Sequence, residues 1–231
     1  MPTRILLVRH GSTRLTLEDR FAGSNDEPLS NEGRDQASRL GVRLSSVPIA
    51  AVYASPMARA MDTARIVASP HGLKVRPEPA FREIDFGQWE GLTRDQVRER
   101  YAQDFALWEE DPLLVAPAQG ESGLSVIHRA LPLMREIIDR HRHQTVLVVS
   151  HKGTNRLLVS SLLGLDARGY RERLDQSPAS LTILDFMNEV RPRLKLFNDV
   201  SHYESFPERE INDRISKWWR PTQAATTSSG D

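Results

Sequence analysis

Arg4-Ile5-Leu6-Leu7-Val8-Arg9-His10-Gly11 is the stretch from which the fold can be read. Four consecutive apolar residues with no polar alternation predict a strand buried on both faces, as in a parallel sheet covered by helices on each side. The strand then breaks off into a cation, an imidazole and a glycine. Thr145-Val146-Leu147-Val148-Val149 repeats the pattern and runs into Ser150-His151-Lys152-Gly153. Ala50-Ala51-Val52-Tyr53 is a third such run, followed by Ser55-Pro56 and Arg59.

Helical patterns fill the intervals. Ser30 reads as an N-cap with Glu32 in the first turn, and Ala37, Leu40 and Leu44 form an apolar stripe that stops at Val47-Pro48. Ser55 reads as the next N-cap, with Pro56 at the first helical position of a helix through 68. Gly120-Glu121-Ser122 precedes a helix carrying Val126, Leu131, Met134, Ile137 and Ile138. A further helix is expected over 154–163, and strands over 181–186 and 194–197 with a turn at Asn188-Glu189. The alternation predicts an α/β three-layer sandwich: a mostly parallel central sheet flanked by helices.

The 231 residues are 39% hydrophobic and 27% charged, which suits one sizeable globular core. Lys+Arg and Asp+Glu both number 31, so there is no basic excess of the kind that nucleic-acid partners call for. No apolar run approaches the roughly 18 residues of a membrane span, and residues 5–8 are too short for a signal-peptide core. With no cysteine, thiolate nucleophiles, thiolate metal sites and disulfides are excluded. Cytoplasmic residence is the expectation.

In an open α/β sheet, ligands bind beyond the carboxyl ends of the strands. Three parallel strands would deliver His10, His151, Arg9 and Arg59 to one edge, beside helix N-termini with unpaired N–H groups. Such a pocket suits a dianion, phosphate above all.

At these residues the chain resembles the histidine phosphatase superfamily, also called phosphoglycerate mutase-like. The signature Arg-His-Gly-x-Thr stands as Arg9-His10-Gly11-Ser12-Thr13. Arg20-Phe21-x-Gly23, Asp26-x-Pro28-Leu29-Ser30 and Gly33-x-x-Gln36-Ala37 resemble the segment that follows. Ser55-Pro56-x-x-Arg59-Ala60-x-x-Thr63-Ala64 is similar to the second arginine motif, and Glu83-Ile84-Asp85-Phe86-Gly87-x-x-Glu90-Gly91 to the acid-bearing loop. Gly120-Glu121-Ser122, Ser150-His151 and Asn198-Asp199 complete a series spread over about 200 residues.

The resemblance implies a phosphatase fold over 1–200 and a phosphomonoester hydrolase acting on a small phosphorylated metabolite, with no cofactor and no metal. His10 would be the nucleophile, Arg9 and Arg59 the clamp on the phosphoryl oxygens, and His151 a proton donor to one of them. Glu83 would be the general acid and base, with Asp85 and Glu90 as competitors. Thr16 stands where the family often has Asn, so a hydroxyl replaces an amide in binding phosphate, and Gly23 belongs to the same phosphate-binding segment. Lys152 departs from the usual Gly-Gly after the second histidine. A cation at a helix N-terminus opposes the dipole, which points to an anionic substrate group nearby. Phosphoglycerate mutase is the alternative activity, but such mutases typically show Glu-Arg-His-Tyr-Gly in the acid loop. A non-catalytic phosphate-binding module is the other alternative, against which stands the full set of reactive residues.

Asp104, Trp108, Glu109 and Glu110 fall where the family covers its pocket, so a lid is expected there. His141-Arg142-His143 is a weak metal candidate, since a helix C-terminus favours cations without any metal. Ile211, Ile215 and Trp218 follow helical spacing. They predict a helical extension within 201–220 that docks on the domain or on a second subunit, as in a homodimer. Residues 221–231 read as a disordered tail. The expected partner is a small phosphomonoester, with neither nucleic acid nor membrane.

Overall fold

The computed structural model describes residues 1–188 and 191–204. The expected helix at 207–219, the tail, and Glu189 of the expected turn lie outside the described residues. Among the described residues, six strands form one sheet: β1 (Thr3–Arg9), β2 (Ile49–Ala54), β3 (Val75–Pro77), β4 (Thr145–Ser150), β5 (Leu181–Phe186) and β6 (Pro192–Asp199). Their order is β3-β2-β4-β1-β5-β6, and only β5 runs against the rest. The longer helices are α2 (Asn31–Leu44), α3 (Ala58–Ala68), α6 (Gly123–Arg140) and α7 (Lys152–Leu163). Shorter ones are α1 (Arg14–Leu17), α4 (Arg94–Arg100), α5 (Ala102–Glu110) and α8 (Tyr170–Arg173).

The apolar runs work as parity requires. Ile5, Leu7, Val146 and Val148 face one side, where they pack with Met134, Ile137 and Leu158 of α6 and α7. Leu6, Val8, Leu147 and Val149 face the other, against Leu40, Leu44, Ala64 and Val67 of α2 and α3. Successive side chains point to opposite faces, so a strand covered on both sides must be apolar throughout. Burying each such side chain contributes about 1.5–3 kcal/mol. A separate aromatic cluster of Phe21, Trp89, Phe105 and Trp108 forms where α4 and α5 fold over.

Register sets the site. Arg9 lies opposite Ser150 in the β1–β4 pair, and Ala54 opposite Val149 in the β2–β4 pair. The strands therefore end level, with His10 N donating to Ser150 O at 3.0 Å and Ser55 N to Val149 O at 3.0 Å.

One local expectation needs correction, and one strand was not expected. Ser55 is not the cap of α3: Met57 occupies that position, and Asp26 Oδ1 accepts from Ala58 N at 2.5 Å instead. The Ser55 hydroxyl is turned to His151 Nε2 at 2.7 Å. Strand β3 was not foreseen, being three residues of mixed character that end in a proline at the sheet edge. Ser30 caps α2 as expected, and Ser122 is found to cap α6.

Gly33 in the first turn of α2 sits against the loop after β1, where an added Cβ would meet Ser12 O at 2.2 Å and Ser12 N at 2.7 Å. Both obstacles are backbone, so neither can swing aside. Helix propensity favours alanine over glycine by about 1 kcal/mol. The contact predicts the opposite sign for Gly33→Ala, a loss of roughly 1–3 kcal/mol by overpacking. Calorimetric melting checks this: a lower Tm is expected, and a higher one would refute the close approach.

Candidate active site

A cavity of about 740 Å³ opens over the level strand ends. Arg9, His10, Arg59 and Glu83 all line it, together with Thr16 and Lys152. His151 lies just beneath, fully buried, its ring centroid 5.1 Å from that of His10 and tilted by 61°.

His10 Nδ1 is 2.7 Å from Gly11 O. A carbonyl only accepts, so Nδ1 carries the proton and Nε2 keeps its lone pair. Burial, then the charges of Arg59 and Arg9, hold the His10 pKa well below the usual imidazole value. Near neutral pH the ring is therefore uncharged. His151 is depressed in the same way by burial and then by Arg59 and His10. Ser55 Oγ accepts, at 3.4 Å, from Met57 N, so its proton is available to His151 Nε2. His151 Nδ1 is buried with no partner among the described residues.

The two guanidiniums are held by carbonyls. Arg9 donates to Gln176 O at 2.6 Å. Arg59, 2% exposed, donates to Asn25 O at 2.6 Å, Gly23 O at 3.0 Å and Ala22 O at 3.2 Å. Burial pushes Arg9 down to about 10, against the pull of Glu83, which leaves it a cation at neutral pH. Burial lowers Arg59 as well.

Glu83 is fixed by the start of α7. Its carboxylate accepts from Gly153 N at 2.9 Å, Thr154 N at 3.0 Å, Thr154 Oγ1 at 3.3 Å and its neighbour Ile84 N at 3.0 Å. A Cβ on Gly153 would come within 2.8 Å of Glu83 Oε1, so glycine is what lets the acid approach. The competing acids lie elsewhere. Asp85 Oδ1 accepts from Gly87 N at 2.8 Å in a turn. Glu90 accepts from Gly23 N, Ser24 N, Asn25 Nδ2 and Phe86 N, all at 3.0–3.1 Å.

Gly23 thus meets the site in another capacity than expected: its N–H points to Glu90 and its carbonyl receives Arg59. Thr16 is on the cavity wall, its hydroxyl 3.0 Å from that of Thr13. Of the expected lid, Trp108 is a buried wall residue facing Arg171, while Asp104 and Glu110 are exposed and do not line the cavity. Both ring nitrogens of His141 are taken, Nε2 by Tyr53 OH and Nδ1 by Gln144, each at 2.9 Å.

Sequence reading missed four contributors. Arg129 of α6 reaches across to Ala80 O, Arg82 O and Glu83 O and to both oxygens of Glu121, at 2.7–2.9 Å. Arg156 and Tyr170 line the cavity, and Gln176 holds Arg9. Gln176 precedes β5, and because β5 runs backwards its start shares an edge with the ends of β1 and β4. Only the strand's direction could have signalled that.

The buried imidazoles predict an acid-sensitive fold. Their native pKa values lie below the unfolded value of about 6.5, so above that pH neither state holds the proton. As pH falls through 6.5 the unfolded chain takes up protons that the native sites refuse, and stability drops. At pH 5.5 each imidazole contributes a loss of up to about 1.4 kcal/mol. In phosphate-free buffer, Tm should fall from pH 7.5 to 5.5 by more in the wild type than in His10→Gln. Equal falls would show that His10 is not buried neutral.

Comparison with known proteins agrees with the geometry. The sequence profile of the histidine phosphatase superfamily (branch 1) matches residues 5–200. Phosphoserine phosphatase 1 of Hydrogenobacter thermophilus is 37% identical over 163 residues, 71% of this chain and 77% of that protein. The structure of Bacillus stearothermophilus YhfR superposes with a TM-score of 0.82 at 35% identity, covering 87% of this chain and 100% of that one. Mycobacterial glucosyl-3-phosphoglycerate phosphatase in complex with VO3 gives 0.77 at 31% identity, over 84% and 98%. Some other relatives are longer proteins, of which the chain spans about half. With its strand-end histidines and arginines in place and its relatives named as phosphatases, the chain belongs to the histidine phosphatase superfamily (branch 1).

Proposed function

We propose that the chain is a phosphomonoester hydrolase that carries the phosphoryl group on His10 Nε2. The observation behind this reading is the neutral His10, protonated on Nδ1, at the floor of a cavity walled by Arg9 and Arg59. A lone pair, two fixed cations and shelter from water are what phosphoryl transfer asks of a protein.

In the first half-reaction, Nε2 attacks phosphorus while the bond to the leaving oxygen breaks. Arg9 and Arg59 take the charge on the equatorial oxygens, where a planar fork fits better than an ammonium. His151 Nδ1 serves a third oxygen, the Thr16 hydroxyl stands by on the wall, and Glu83 gives its proton to the departing alkoxide. In the second, water attacks the phosphohistidine and Glu83 takes the water's proton. The P–N bond breaks, and inorganic phosphate leaves a neutral His10. The guanidiniums supply the charge a metal would, so no cofactor is called for.

Ile84 and Phe86 line the cavity at positions where the mutase pattern has arginine and tyrosine, which supports hydrolysis over transfer back to substrate. Relatives named for phosphoserine and glucosyl-3-phosphoglycerate support a small phosphorylated metabolite as the substrate class.

Acid quench with labelled substrate should trap an acid-labile, base-stable phosphoprotein in the wild type and none in His10→Ala. Activity should survive chelation. If His10→Ala keeps more than about a hundredth of wild-type turnover, the covalent route is wrong, since losing a nucleophile costs far more.

Arg129 positions Glu83, and its loss should depend on the leaving group. An alkyl phosphate needs its oxygen protonated and a nitrophenyl ester hardly does, a contribution of roughly 10²–10⁴-fold for a well-placed acid. Arg129→Met should slow the phosphorylation of His10 by glycerol phosphate at least tenfold more than by nitrophenyl phosphate, with partial rescue in Arg129→Lys. Equal losses in single-turnover kinetics would make Arg129 a stability residue only.

A further inference from the structure

Besides Arg9 and Arg59, the cavity is lined by a further pair of cationic side chains. Lys152 and Arg156 stand one turn apart on α7, and both line the cavity beside Tyr170. Like charges at this spacing repel. Arg156 is 6% exposed, and its Nε has no partner among the described residues. Its NH2 meets Asp175 Oδ1 at 3.3 Å, an oxygen that also accepts from Gln176 N at 2.8 Å. Lys152 makes no ion pair or hydrogen bond with a described residue.

The balance of charge around Lys152 is positive. Burial, then Arg156 and Arg9, push its ammonium down to about 7, against the weaker pull of Asp175 and Asp19. Lys152 and Arg156 are cations of the cavity in addition to the phosphoryl clamp, and Arg9 of that clamp interacts with both. The charges that bear on His10 are those of Arg59 and Arg9; Lys152 and Arg156 are not among them. Arg59 answers to Glu83, Asp26, Glu90 and Glu27, none of which is among the groups acting on Lys152.

We propose that Lys152 and Arg156, beside Tyr170, form a second anion subsite that receives a carboxylate or phosphate carried by the leaving group of the substrate. An anion there relieves the repulsion between the two cations and supplies the partner that Lys152 lacks. An ammonium and a guanidinium together suit either anion, the one as a point charge and the other as a fork. This inference rests on the phosphatase reading, since it presumes a phosphoryl group held by Arg9 and Arg59.

Calorimetric binding of non-hydrolysable phosphonates tests it without turnover. The ligands are propylphosphonate, 3-phosphonopropionate and 1,3-propanediylbisphosphonate, which differ at the far end only. The wild type should bind at least one of the two doubly anionic ligands about tenfold more tightly than propylphosphonate, the scale of a charged hydrogen bond. Whichever ligand gains identifies the anion. Lys152→Met should abolish that ratio, and Lys152→Arg should restore it. Equal affinities in the wild type, or a ratio that survives Lys152→Met, would overturn the subsite. A parallel loss on all three ligands would also overturn it, by assigning Lys152 to the transferred phosphoryl group. Nitrophenyl phosphate hydrolysis by the wild type is measured alongside. Its absence would sink the phosphatase reading and leave the affinity ratio to judge the subsite.

Discussion

Arg9 and Arg59 are buried beside His10 and are held by carbonyl oxygens, not by carboxylates. Dipoles orient a guanidinium but do not neutralise it, and removing a charge from water is costly unless an opposite charge replaces the solvent. The free site therefore keeps a positive potential, which adds to burial in holding both histidines uncharged. A dianion answers all of this at once. It screens the arginines from each other, allows an imidazole to take up a proton, and arrives where the His10 lone pair is already free. On the proposed reading, affinity for phosphate and reactivity toward it have the same source.

Holding such a site rigid takes carboxylates that do no chemistry. Glu90 binds three successive residues, Gly23, Ser24 and Asn25, and also Phe86. The carbonyls of that same segment fix Arg59, so Glu90 reaches the guanidinium through the backbone. Glu121 does the parallel service on the other side: it anchors Arg129, whose remaining donors meet the carbonyls of Ala80, Arg82 and Glu83. Glu90 thus sets the segment that holds Arg59, and Glu121 sets the arginine that holds the backbone of Glu83. The loops they stabilise come from distant parts of the chain and carry no regular structure that could align them alone.

The strands and the residues at their ends were legible in the sequence because both-face burial demands an uninterrupted apolar run, as at 5–8 and 145–149. The cap at Ser30 was legible for a similarly local reason. Ser55 shows where local reading stops: the serine-proline pair has the chemistry of a cap, but a buried histidine takes its hydroxyl. Arg129 and Gln176 left no trace in any pattern. Each acts across more than forty residues or from the far end of a reversed strand, so its partner is set by topology. Trp108 was legible as a residue over the pocket but not as a packed wall, because the aromatic cluster with Phe21 and Trp89 joins segments far apart in the chain.

Lys152 brings these lines together. A lysine at the first position of a helix opposes the dipole, and an anion is the expected remedy. The structure supplies hydrogen-bond acceptors from within, because Glu83 accepts from the N–H groups of Gly153 and Thr154. His151 occupies the cap position of α7 and makes no capping bond, which leaves its ring for the site, and the acid from a loop seventy residues earlier serves the helix instead. That arrangement spends the helix's positive end on Glu83, whereas the ammonium of Lys152 still faces Arg156 and Arg9 in the cavity. The helix terminus is satisfied and its lysine is not. On the reading proposed above, an anion carried by the substrate is the partner of that lysine.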